Sequence, residues 1–157
     1  MLKRSFILAA LILLFSLPLF AQEPYGTPLN VDTAKKIAAA AIAEARKNNL
    51  FMAIAIVDPS GLLVYFEKMD NTQNGSVNVA VDKARSAALF RRPTKAFQDI
   101  VAAGGEGLRI LELQGAIPID GGLPIIVGGK IVGAVGASGG TSTQDGQVAK
   151  AGADSVK

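Results

Sequence analysis

Histidine is absent from all 157 residues. That one absence removes Ser-His-Asp and Cys-His catalysis, histidine-based zinc sites and a histidine ligand on a haem iron. Cysteine is absent as well. No disulfide can brace the fold, so stability has to come from packing and association, and no thiol follows the apolar leader for lipid attachment. An excess of charge of one sign is also missing. With Lys3 and Arg4 set aside, the 16 basic and 13 acidic side chains come within one charge of balance, which is no footprint for nucleic acid. The longest apolar run, Phe6–Phe20, has fifteen residues, whereas a membrane-spanning helix needs about 20.

That run is nevertheless the first recognisable feature. Lys3 and Arg4 precede it, and Pro18 and Ala21 follow it, the pattern of a secretion signal cleaved after Ala21. Residues 1–21 are thus expected to be removed, leaving a periplasmic or secreted protein with no membrane segment. Residues 22–29 (QEPYGTPL) read as a flexible lead-in and residues 30–157 as one domain.

Asn30 suits the N-cap of a helix from Val31 to about Asn48, with Val31, Ala34, Ile37, Ala38, Ala41, Ile42 and Ala45 on one face. Asn48-Asn49 suits a left-handed exit. Leu50–Val57 and Leu62–Lys68 read as a hairpin across Asp58-Pro59-Ser60-Gly61. Ser76 is expected to cap a helix over VNVAVDKARSAALF, whose small-residue face allows close approach. Ala96–Val101 and Gly107–Leu113 read as short helical pieces and Gly115–Gly122 as a short extended piece. Leu123–Val127 and Lys130–Ala137 form a second hairpin over Gly128-Gly129. The Gly133 and Gly136 positions mark a close backbone approach. A last helix starts near Ser142, with capping-box spacing at Thr141–Gln144 and Ser142–Asp145. Separate hairpins predict an α+β fold: a single-domain α/β sandwich with a central, mostly antiparallel sheet of about five strands flanked by helices.

Chemistry concentrates at Asp82–Phe97. Arg91 and Arg92 are followed by Pro93, which stops one helix, and by Thr94, placed to cap the next. Two guanidiniums beside a helix start can hold an acidic ligand; the same residues also read as a solvated turn. Ser138-Gly139-Gly140-Thr141 follows a strand and opens a helix. It reads either as a nest for a carboxylate or phosphate or as a plain connector. The acidic residues are scattered, and no serine or lysine has an activating partner nearby in sequence. The residues point to a binder rather than a catalyst.

Four ordered stretches, VDPSGLLVYFEKMD, VDKARSAALFRRPTKAF, the Gly-Gly-Leu-Pro-Ile-Ile-Val-Gly-Gly hairpin and GASGGTSTQD, closely resemble the GlcG/HbpS-like haem-binding protein family. The resemblance covers about Leu29 to the C-terminus. It implies an α/β sandwich, assembly into homo-oligomers, and in some members extracellular haem binding; others are linked to glycolate metabolism or corrinoid enzymes. It also implies Thr94 as an iron ligand. Lys83, Arg91 and Arg92 would pair with propionates, and Phe90, Phe97 and Met69 would contact the porphyrin, though each also reads as ordinary core or surface. The expected function is therefore a non-enzymatic, homo-oligomeric haem or tetrapyrrole binder. The alternative is a binder or accessory enzyme for a small organic acid of the glycolate type, using the cationic junction and the glycine-rich loop Ser138–Thr141. A scaffold built for assembly alone is the third reading.

Overall fold

The computed structural model describes residues 22–156; the secretion signal expected at residues 1–21 lies outside them. Helix α1 (Val31–Lys47) opens where Asn30 Oδ1 accepts a hydrogen bond from Thr33 N–H at 2.9 Å. Its six buried residues are Ala34, Ile37, Ala38, Ala41, Ile42 and Ala45; Val31, the seventh of the predicted stripe, is exposed. Asn49 takes the left-handed exit at φ 55°. Strands β1 (Ala53–Val57) and β2 (Leu63–Lys68) follow as an antiparallel pair. Asp58 holds their turn by accepting from Ser60 and Leu62 N–H.

Helix α2 (Ser76–Phe90) ends at Arg91, a non-glycine residue in the left-handed region at φ 51°. After it come α3 (Thr94–Ala102) and a 3-10 segment, Gly105–Glu112. Strands β3 (Gly122–Val127) and β4 (Lys130–Ser138) form the second hairpin, and α4 (Ser142–Asp154) closes the chain. The sheet order is β2-β1-β4-β3, antiparallel throughout. The described residues form four strands, one fewer than expected, because Gly115–Asp120 is a connector of turns and bends whose Ile117 N–H goes to Ser86 Oγ instead of to a strand.

Two layers of helix sandwich this sheet. On one face α1 and α4 cover Ile54, Ile56, Ile125, Val135 and Ala137; on the other, the alanines of α2 cover Ala53, Ala55, Val57 and Ala134. The α2 face is unusually flat because Ala55, Gly136 and Gly122 stand in register across β1, β4 and β3. A Cβ on Gly136 would lie 2.0 Å from Ala80 O, and one on Gly122 2.3 Å from Lys83 O. The close approach read from Gly136 is thus between a helix and a sheet within one chain. The alanine face of α2 is used there and is not free for a partner.

The lead-in is tied down rather than loose. Ile131 N–H donates to Pro24 O, and Gly26 and Leu29 N–H donate to Ile131 and Val132 O. Residues 24–29 thereby occupy the flank of β4 beyond the end of β1, where that backbone would otherwise lack partners. Tyr25 OH also reaches the carbonyl of Ala88 at 2.9 Å.

Candidate functional site

The cationic junction does not form a single grip. The left-handed Arg91 sends consecutive side chains apart: its guanidinium lies 5.4 Å from the centroid of the Tyr25 ring, while Arg92 lies 5.5 Å from that of Phe97. Arg92 Nε also donates to Phe90 O, and Phe90 meets Phe97 edge-on at 5.2 Å. Phe97 is core, with 2 % exposure.

Thr94 turns inward. It is the first residue of α3, with Pro93 as N-cap and no side-chain capping bond. Its Oγ1 accepts from Gly122 N–H at 2.9 Å, and none of the residue is exposed. The capping role expected of Thr94 is therefore replaced by a bond that holds α3 to the start of β3. Ser76 departs from expectation in the same way: it caps nothing, and its Oγ bonds Gln73 and Ser138.

Lys83 is the largest fully buried side chain among the described residues. Its Nζ lies 2.6 Å from Asp145 Oδ2 and 3.3 Å from Ala137 O. Lys83 belongs to the layer of α2 and Asp145 to the layer of α4, so the ion pair passes round the end of the sheet and bolts the two layers together. Gly121 leaves the passage open: at φ 121°, a Cβ there would stand 2.9 Å from Lys83 Nζ and 2.7 Å from Asp145 Cβ. Lys83 thus has its carboxylate inside the protein and does not face a ligand's propionate.

The glycine-rich loop does hold a carboxylate, but it is the protein's own. Asp145 Oδ1 accepts from Gly140 N–H at 2.9 Å, and Thr141 and Gln144 complete the expected capping box. The predicted Ser142–Asp145 pairing gives way to this arrangement, and Ser138–Thr141 is not an open anion nest. Burial pushes the Asp145 carboxyl above its ordinary range, opposed by the Lys83 ammonium and the N–H groups of Gly140 and Gly139. Sequence reasoning missed this pair, although a signal existed: Lys83 lies on the buried stripe of Ala80, Ala84 and Ala87, and a lysine on such a stripe requires a carboxylate.

Met69 stands apart from all of this. It follows β2 and packs against the core cluster of α1 and α4, whereas Phe97 and Thr94 lie with α3. It lines a cleft of about 350 Å³ together with Arg46, Phe51, Glu67, Lys68 and Asp70. A second cavity of about 440 Å³ beside Pro93 is lined by Lys95, Asp120, Leu123, Thr143, Gly146, Gln147 and Lys150; neither Arg91 nor Arg92 reaches it. No cluster of three or more acidic residues with metal-holding geometry occurs among the described residues.

With that geometry in view, the profile of the HbpS-like family, described as haem degrading protein HbpS-like, matches residues 29–154. The chain belongs to this family. The HbpS-like chain is 41% identical over 110 residues to Protein GlcG of Escherichia coli strain K12, covering 70% of this chain and 81% of GlcG. Its fold superposes on a crystal structure of HbpS with a TM-score of 0.76 at 27% identity, covering 84% of this chain and 92% of that one. A crystal structure of a PduOC–haem complex matches with a TM-score of 0.75 at 25% identity, covering 83% and 96%. The four motifs that carry the resemblance converge in part on one place. Lys83, Gly121-Gly122, Ser138–Thr141 and Asp145 all surround the buried ion pair.

Haem is the group the family description names, and the residues can be tested against it. Thr94, sealed and bonded to Gly122, does not fit an iron ligand. Lys83, paired with Asp145, does not fit a propionate partner. Met69 belongs to a side-chain class that ligates haem iron, and it lines an open cleft.

Proposed function

We propose that this HbpS-like protein binds haem or a related tetrapyrrole outside the cytoplasm, as a homo-oligomer. The observation that carries the reading is membership of the family across residues 29–154, joined to a solved relative in complex with haem. The apolar leader of residues 6–20 supports the compartment. Assembly is supported by the 3-10 segment, none of whose residues is buried and in which Leu108 and Leu111 stand exposed, with Leu113 exposed just after it. Hemin titrated into the purified protein should give a saturable, shifted Soret band. A spectrum identical to that of free hemin at every ratio would sink the reading. A band that then fades faster than free hemin under a reductant assigns breakdown of haem as well as binding. Light scattering after size exclusion reads the subunit number, and Leu111→Glu should lower it.

A second reading rests on the cavity beside Pro93. Lys95, Lys150, Thr143 and Gln147 line it, a set suited to a small organic acid. A hydroxy or keto acid seated there would raise the melting temperature by mass action. A screen in which no acid shifts the melting point and hemin does discards this reading.

A further inference from the structure

We propose that the cleft of Arg46, Phe51, Lys68 and Met69 is a binding site for a flat aromatic ligand bearing carboxylates, and that it, not the Pro93 junction, seats the tetrapyrrole. The tetrapyrrole half of this statement rests on the function proposed above; the ligand class rests on the cleft alone.

Phe51 is the first ground. It is 51 % exposed, although Met52 and Ala53 beside it are completely buried. Single exposed apolar side chains are common, so its surroundings decide the matter. Arg46 and Lys68 make no side-chain hydrogen bond or ion pair among the described residues, whereas Lys47, Arg85, Lys95, Arg109 and Lys150 each stand beside a carboxylate. Two uncommitted cations therefore flank an open aromatic face. A ring that stacks on Phe51 would place acidic substituents within their reach, and a guanidinium suits both jobs because it stacks and donates in pairs.

Met69 lines the same wall, and a thioether is soft, polarisable and able to contact an aromatic ring or to ligate iron. The acidic members limit where carboxylates can lie. Tyr65 OH holds Glu67 at 3.0 Å, and Asp70 repels an anion from its side, so the ligand's acids are directed to Arg46 and Lys68. At about 350 Å³ the cleft falls within the range of small-molecule sites.

The walls are held in advance. Met69 N–H donates to Met52 O at 2.9 Å. Behind Phe51, Gly139 comes so near that a Cβ there would lie 2.1 Å from Phe51 O. The loop that carries Gly139 is in turn anchored by Asp145. The buried ion pair thus fixes the backbone floor against which the cleft is built, and the ordering left for binding is that of the exposed Arg46 and Lys68 side chains. At the junction, by contrast, Arg91 and Arg92 are already stacked on the chain's own rings.

The test compares hemin and iron-free protoporphyrin IX on the wild type and on Phe51→Ala, Arg46→Glu, Met69→Leu and Arg92→Ala. Phe51→Ala and Arg46→Glu are expected to weaken both pigments about tenfold or more, the loss typical of an anchoring contact. Met69→Leu should change the visible spectrum bound hemin shows while leaving protoporphyrin affinity as it was, and Arg92→Ala should leave both bound as in the wild type. Both exposed substitutions should keep the wild-type circular dichroism. Hemin binding that survives Phe51→Ala and Arg46→Glu within about twofold, but fails in Arg92→Ala, overturns the cleft and leaves the function standing. A wild type that binds neither pigment overturns both.

Discussion

The buried Lys83–Asp145 pair and the open Arg46–Phe51–Met69 cleft are neighbours across the Gly139-Gly140 loop, and they use charge in opposite ways. At the pair the charges are matched: one ammonium, one carboxylate and the loop's N–H groups close on each other. At the cleft two cations stay uncommitted beside an exposed ring. Motif residues reach both: Lys83, Gly121-Gly122, Ser138–Thr141 and Asp145 gather around the first, while Glu67, Lys68, Met69 and Asp70, the end of another motif, line the second. The lesson is that one family signature can encode a structural bolt and, beside it, one wall of a surface free to meet a ligand, completed by Arg46 and Phe51 from outside the motifs.

The largest effect should come from breaking the bolt. Lys83→Met leaves an unpaired carboxylate 3 % exposed and should cost about 3–5 kcal/mol in denaturant unfolding. Lys83→Met/Asp145→Leu should recover much of that, because an apolar pair carries no desolvation cost. A single variant within about 1 kcal/mol of wild type would show that the pair holds nothing together. The pH dependence sharpens this point. Burial already raises the Asp145 carboxyl, and removing Lys83 removes an opposing influence. The folded variant then holds a proton more tightly than its unfolded chain, so its stability should increase as pH falls from neutrality toward the ordinary carboxylate range of about 4.

Gly136→Ala comes next. Its Cβ would enter contact at 2.0 Å with Ala80 O, and lifting α2 off the sheet should cost about 1–3 kcal/mol. Thr94→Val removes the acceptor for Gly122 N–H and should cost about 1–3 kcal/mol as a buried donor goes unpaired, with hemin affinity unchanged in the folded protein. Loss of hemin without loss of stability would instead return Thr94 to the ligand. Phe51→Ala should do the reverse, shifting stability by about 0.5 kcal/mol or less while abolishing tight hemin binding. The smallest effect belongs to Glu44, which Gln147 and Asn48 hydrogen-bond and hold below its ordinary value. Its contribution is present above the ordinary glutamate value of about 4.3 and is lost as pH falls below it; Glu44→Gln should flatten the acid limb of the melting curve.

Much of the fold was legible because it is governed by local pattern. The α1 stripe, the Asp58–Gly61 turn, the Gly128-Gly129 hairpin and the Thr141–Gln144 box each depend on residues a few positions apart. The site was less legible. Arg91 and Arg92 are adjacent in sequence, and only the left-handed backbone at Arg91 parts them. Thr94 has the right chemistry for a cap or a ligand, yet Gly122, 28 residues away, claims its hydroxyl. The glycine loop, read either as a nest for a ligand's carboxylate or phosphate or as a plain connector, instead takes up a carboxylate of its own chain, five residues downstream of Gly140.

Composition and local pattern alone settle the class of structure and several exclusions: two hairpins and amphipathic helices in an α+β order, no histidine chemistry and no disulfides. Those follow from periodicity, turn residues and the absence of side chains, all of which act locally or by composition. Which polar groups are spent and which are free emerges from the packing of the folded chain. Lys83 meets Asp145 across 62 residues, and Arg46, Phe51 and Met69 meet at one cleft, because packing two helical layers on one sheet brings distant residues together. Whether a charge is matched or available is a property of that packing, and no local pattern carries it.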